Sequence, residues 1–226
     1  MSQGRASRGV GSWAEGAAPR IVVWAVRARA QHPFCIEKLE SEAPPPYMGR
    51  VMLQRRKIIG VMGSGREEYR EWVVPLARWI AEHGFDLLTG AGEGVMRVAA
   101  EAFVAVPGRR GLSIGIIPGE VVDGEYQAPP GYPNPNVELP VLTHLPLRGA
   151  RGQEPMSRNH VNVLTAHGLV FLPGGPGTLS EAALALNYRK PAILFGPERE
   201  FRKFPEELER TDSLERVCEW LLATVR

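Results

Sequence analysis

The sequence predicts a doubly wound α/β fold, a mostly parallel sheet with helices on both faces. Two observations predict it. From Lys57 onward, short apolar runs alternate with segments whose apolar residues recur at helical spacing. Three of those runs also end in glycine-rich loops that lead towards helices. Strands buried on both faces read as unbroken apolar runs, as these do, and parallel sheets covered by helices place them there. Such sheets take ligands beyond the carboxyl ends of their strands, where the strand order switches direction.

The elements follow in order. Lys57–Met62 reads as a buried strand, and Tyr69–His83 as a helix with Trp72, Leu76, Trp79 and Ile80 on one side. Phe85–Leu88 is the next strand. The glycine loop Gly90-Ala91-Gly92-Glu93-Gly94 then leads into a helix over Val95–Val104. Leu112–Ile117 is a third strand, and the Pro- and Gly-rich run from Pro118 to Pro140 reads as loop. Val141–Thr143 reads as a short strand and Glu154–Ala166 as a helix. Gly168–Leu172 is a strand, and a helix over Leu179–Tyr188 follows it. Ala192–Phe195 closes the sheet, and a last helix spans about Ser213 to Val225. No internal repeat is visible.

The first fifty residues differ in kind. Arg5, Arg8, Arg20, Arg27 and Arg29 stand among small residues, and Pro44-Pro45-Pro46 follows. The stretch loosely resembles an organelle transit peptide, but its apolar run Ile21–Val26 is short and lacks a clear cleavage site. We read 1–52 as a disordered extension, or as sequence upstream of a start at Met48 or Met52, and 53–226 as one nucleotide- and phosphate-binding domain.

Composition excludes several functions. A net charge of +2 is too small to imply nucleic acid as the partner. Cys35 and Cys218 stand far apart, outside any metal-ligand spacing. No disulfide framework or metal site is expected, and a reducing cytoplasm suits the chain. No apolar run approaches the length of a membrane span.

Pro173-Gly174-Gly175-Pro176-Gly177-Thr178-Leu179-Ser180-Glu181 is the most informative stretch. Strand, glycine loop and helix N-terminus together form an anion site, because unpaired N–H groups and the positive dipole end converge there. Gly174, Gly175, Gly177 and Thr178 are therefore candidate phosphate ligands. Glu181, one turn into the helix, is an acid beside a site built for negative charge. That position suits chemistry on a cationic part of a phosphorylated ligand, such as a ribose losing its base. Thr178-x-x-Glu181 equally fits a capping box, in which the two side chains satisfy helix-end N–H groups.

Gly63-Ser64-Gly65, after the first strand, and Gly90, Gly92 and Gly94, after the second, are further candidate ligand contacts. A P-loop would need Lys and Ser/Thr after Gly65, where the chain has Arg66-Glu67. A dinucleotide site would carry an acid where the chain has Leu88-Thr89-Gly90. In Met156–Leu164, Arg158, Asn159 and Asn162 share one polar sector at helical spacing. The Arg158 fork suits a phosphate or a base edge, and the asparagines could hydrogen-bond the ligand. A solvated helix face would look the same. His160 and His167 are candidate bases, though lone histidines near helix ends more often serve structure.

The PGGxGTxxE pattern of 173–181, with Arg158 on a helix some two dozen residues earlier, resembles the Lonely-Guy family. That family, formerly labelled lysine decarboxylases, comprises cytokinin-activating phosphoribohydrolases. The resemblance covers Lys57 to Gly196. It implies a Rossmann-like fold and hydrolysis of a nucleoside 5′-monophosphate to free base and ribose 5-phosphate, with no cofactor. Arg158 and Glu181 fall on the family's catalytic Arg and Glu, and Gly174, Gly175, Gly177 and Thr178 on its phosphate loop. Two residues depart from the pattern: Asn159 replaces the Lys after the Arg, and Ser180 replaces the first Glu of a Glu-Glu pair. The run Arg158–Val163 is similar to a sister branch, the molybdenum-cofactor carrier proteins, which bind a pterin phosphate with no known reaction. The leading reading is the hydrolase and the alternative a carrier for the molybdenum cofactor. Both branches imply a homodimer or higher homo-oligomer. The expected partner is a small phosphorylated molecule.

Overall fold

The computed structural model describes residues 22–29, 32–40 and 55–225, and the chain divides into two compact units, Met1–Gln54 and Arg55–Arg226. In the first unit, β1 (Val22–Arg29) pairs antiparallel with β2 (His32–Glu40). The rest of the expected disordered extension over 1–52 lies outside the described residues.

The second unit is a seven-stranded sheet in which each pair of neighbours runs parallel. Its strands are β3 (Ile58–Met62), β4 (Asp86–Thr89), β5 (Ser113–Ile117), β8 (Leu139–Leu142), β9 (Gly168–Phe171), β10 (Ala192–Phe195) and β11 (Glu209–Thr211), in the order β11-β10-β9-β3-β4-β5-β8. The chain thus builds outward from β3 to one edge, then returns to lay β9 against β3 and builds to the other edge. The switch point falls between β3 and β9.

Side chains alternate across the sheet with the strand period of two. Ile59, Val61, Val170 and Leu172 face one way, into a core shared with α1 (Arg70–Glu82), α2 (Val95–Val104) and α5 (Leu214–Thr224). Met62, Leu169 and Phe171 face the other, against α3 (Asn159–Thr165) and α4 (Pro176–Asn187). Two covered faces make the fold the Rossmann-like α/β architecture expected.

Several local expectations are corrected. The stretch 118–140 is not all loop: β6 (Glu120–Val122) and β7 (Glu125–Gln127) form a small antiparallel pair, and β8 opens at Leu139. Asp123 and Gly124, both at positive φ, supply the two-residue turn that the breakers were read as loop. The helix expected over Glu154–Ala166 is confined to Asn159–Thr165. Pro155 cannot donate to a helical ladder, and Leu147 N–H instead donates to Met156 O at 3.2 Å. A single 3-10 turn, Gly149–Arg151, precedes it. The helix expected from Leu179 begins three residues earlier, with Pro176 in the first turn, where its missing N–H costs nothing.

Candidate functional site

The three glycine loops meet at the switch point. Ser64 ties them together: its N–H donates to Pro173 O at 3.1 Å, and its carbonyl accepts Val95 N–H at 2.9 Å. Its hydroxyl accepts the N–H groups of Arg66 and Glu67 at 3.1 and 2.9 Å, which folds the loop back on itself. Close approach explains several glycines. A Cβ on Gly63 would stand 2.7 Å from Val95 Cγ1, and one on Gly174 would meet Thr178 Oγ1 and stand 3.1 Å from Gly63 C. Gly94, at φ +64°, would press a Cβ onto the carbonyl of Ser64.

The loop after β9 carries the anion site. Gly175 caps α4 with no side-chain partner, and Leu179 N–H returns to Gly175 O at 3.0 Å. The N–H groups of Gly177 and Thr178 precede that first intrahelical bond and have no acceptor among the described residues. No capping box forms, because Thr178 sits inside the first turn. Glu181 is bound elsewhere: Asn162 Nδ2 donates to its Oε1 at 2.6 Å.

Arg158 and Glu181 come together as the sequence suggested. Arg158 is 5% exposed, packs its guanidinium on the bare Cα of Gly90, and leaves Nε and Nη1 buried without acceptors. An unpaired buried donor is costly, and a charged one more so. Glu181 is 7% exposed. Burial pushes its carboxyl above the ordinary range, while the Arg158 charge and the Asn162 hydrogen bond pull it down. Asn162 Oδ1 is also buried and unpartnered. The two departures from the Lonely-Guy pattern touch each other: Asn159 Nδ2 donates to Ser180 Oγ at 3.0 Å, and Ser180 Oγ donates to Gly177 O at 2.7 Å.

These groups border a cavity of about 690 Å³. Of the sequence candidates, Arg158, Asn159, Glu181, Gly175, Gly177, Thr178, Gly63, Ser64 and Gly65 line it. Gly174, Gly90, Gly92, Gly94 and Asn162 do not, and they serve as packing or as support behind the wall. Other lining residues were not singled out as ligand contacts in the sequence, among them Arg66, Met96, Tyr132 and Arg148. Tyr132 lies in the run Pro129-Pro130-Gly131-Tyr132-Pro133, where an aromatic amid breakers was a usable signal. The histidines are structural: His160 pairs with Tyr188 Oη at 2.6 Å and with Glu154 O at 3.0 Å, and His167 Nδ1 accepts Ile58 N–H at 3.1 Å. Among the described residues no group of His, Cys, Asp and Glu suits a metal ion, and no helix is long and apolar enough to cross a membrane.

The model of the SLOG cluster4 family matches residues 56–219. The chain belongs to this family. Among solved structures, the SLOG cluster4 domain is similar to the molybdenum cofactor carrier protein from Chlamydomonas reinhardtii, at 28% identity over 75% of this chain and 98% of that one, with a TM-score of 0.57. It is similar also to the molybdenum cofactor binding protein from the phototrophic bacterium Rippkaea orientalis, at 29% identity over 76% and 99%, with a TM-score of 0.59. DNA processing protein A from Helicobacter pylori, at 16% identity over 75% and 82% and a TM-score of 0.55, shares the fold alone. No curated protein matches the chain.

Proposed function

We propose that this SLOG cluster4 protein binds and carries a pterin phosphate of the molybdenum-cofactor type. The phosphate would sit on the N–H groups of Gly177 and Thr178 at the positive end of α4. The observation that carries the reading is Arg158, which lines the cavity and whose buried Nε and Nη1 have no acceptor of their own. A ligand oxygen or ring nitrogen would satisfy them. The likeness to a carrier at 28% identity and a cofactor-binding protein at 29% supports this occupant, and on that support we prefer it to the hydrolase reading that led on sequence alone. The cofactor is cargo here; its redox chemistry belongs to whichever enzyme receives it.

One observation favours the second reading, a nucleoside 5′-monophosphate phosphoribohydrolase. Glu181 lines the cavity beside Arg158, held by Asn162 rather than consumed in a helix cap. As a carboxylate it would stabilise a cationic ribose or orient water, and Arg158 would offset charge on the leaving base. We also propose a cytoplasmic homodimer or higher homo-oligomer. Leu139 and Leu142, 44% and 58% exposed on the edge strand β8, support an assembly.

One experiment separates the readings. Protein as isolated is denatured, its bound material oxidised to fluorescent pterin, and the pterin and molybdenum are quantified. In parallel, native protein is incubated with nucleoside monophosphates and free base is scored by chromatography. A carrier yields pterin and releases no base, and Arg158→Ala weakens pterin-phosphate binding by about tenfold or more, the worth of a charged hydrogen bond. Base release that disappears in Glu181→Gln would replace the carrier by the hydrolase. Neither pterin nor base would remove both.

A further inference from the structure

Tyr132 and Arg148 form a pair that the phosphate site does not use. Both line the cavity, and the Arg148 guanidinium carbon lies 5.1 Å from the centre of the Tyr132 ring. Two features hold the ring in place. Asn134, 2% exposed, donates its N–H to Ala91 O at 2.8 Å and its side-chain amide to Gly92 O at 3.0 Å, which pins the loop after Tyr132 to the end of β4. Gly92 then makes room for the phenol: a Cβ there would stand 2.9 Å from Tyr132 Oη and 2.9 Å from Met96 Cε. Gly92, a candidate ligand contact in the sequence, is the seat of the ring. At the other end, Gly149 abuts the phosphate loop, its Cα 3.5 Å from where a Cβ on Gly177 would be. Arg148 therefore starts beside the anion site and reaches over the aromatic ring.

Arg148 has no carboxylate partner among the described residues, whereas Glu93, the exposed acid on the same cavity, is engaged by Arg97 at 2.9 Å. A guanidinium on a ring is a flat, weakly hydrated surface to which another planar π system can stack. We propose that Arg148, seated on Tyr132, is the specificity residue for the part of the ligand beyond the phosphate, and that it selects a planar heteroaromatic ring. This rests on the phosphate-binding reading above. The phosphate supplies affinity that any phosphorylated sugar shares, and the Arg148–Tyr132 plate adds the preference for a ring.

The test compares ligands that differ in the ring. Affinities of the full-length protein for ribose 5-phosphate, guanosine 5′-monophosphate and 6-hydroxymethylpterin phosphate are measured by calorimetry. Wild type is expected to bind a ring-bearing ligand more tightly than ribose 5-phosphate by about tenfold, the worth of one stacked ring. In Arg148→Ala the ratio falls towards one. In Tyr132→Phe, which keeps the ring under Arg148, the ratio is retained. Gly92→Ala displaces the ring without removing it, and the ratio falls. Equal binding of all three ligands by wild type would overturn the inference while leaving the phosphate site standing. An Arg148→Ala variant that weakens every ligand equally would also overturn it, and would make Arg148 a phosphate ligand. Wild type that binds none of them overturns the phosphate reading, and the inference falls with it.

Discussion

Glu181 shows what burial does to a single carboxyl. Its pKa is raised, chiefly by desolvation. The folded state therefore holds the proton more tightly than the unfolded chain does, and stability declines as pH rises from the ordinary carboxylate range through the folded value. Glu181→Gln removes that decline. The variant is expected to gain melting temperature over wild type at pH 8 but not at pH 4, by about 2–4 °C per kcal/mol relieved at this size. A difference independent of pH would mean that Arg158 cancels the burial in full. At this scale the sequence was legible in part. Glu181 stood out as an acid one turn into the helix after a glycine loop, and Arg158 by its fork in the polar sector of the preceding helix; both line the cavity. Asn159 was read as a ligand contact and as a departure from the family pattern, Ser180 only as a departure, and their mutual hydrogen bond depends on how α3 packs on α4. Asn162 was read as a ligand contact. Its amide is instead spent on Glu181, a fact that spacing along one helix does not contain.

Among the elements, the glycines divide by what a methyl group would meet. Gly94 combines a positive φ of +64° with a backbone carbonyl in the way, so Gly94→Ala is expected to cost about 1–3 kcal/mol in urea denaturation. Gly177 has only ordinary contacts at 3.5 and 3.7 Å and lies in a helix, so Gly177→Ala should be neutral or stabilising by up to about 1 kcal/mol. Lost ligand binding in that variant would then come from a methyl group in the cavity, not from a weakened fold. Equal destabilisation by both substitutions would contradict this division. Elements with strong apolar runs were legible almost to the residue: α2 and β10 fall where the pattern put them. The short polar strands β6, β7 and β11 were not, because they bury little and owe their form to partners distant in sequence or to a turn.

At the scale of the molecule, alternation of strand and helix announced the parallel sheet, but not its order. Which strand lies beside β3 is decided by the crossover after β8, and no local pattern encodes it. We expect a chain starting at Arg55 to fold alone with one cooperative thermal transition, since the sheet and both of its covered faces belong to Arg55–Arg226. A broad, non-cooperative melt would contradict that.

The hydrogen bond from Ser64 to Pro173 joins loops about a hundred residues apart. Closing so long a span precedes any reward from the contacts it permits, so assembly of the site is slow relative to the helices around it. During synthesis, the loop after β3 leaves the ribosome long before its counterpart exists. A nascent chain that has not yet extruded α4 has neither the loop-and-helix start over Gly175–Thr178 nor Glu181. The cavity wall is thereby completed late in synthesis, once Pro176–Asn187 has emerged.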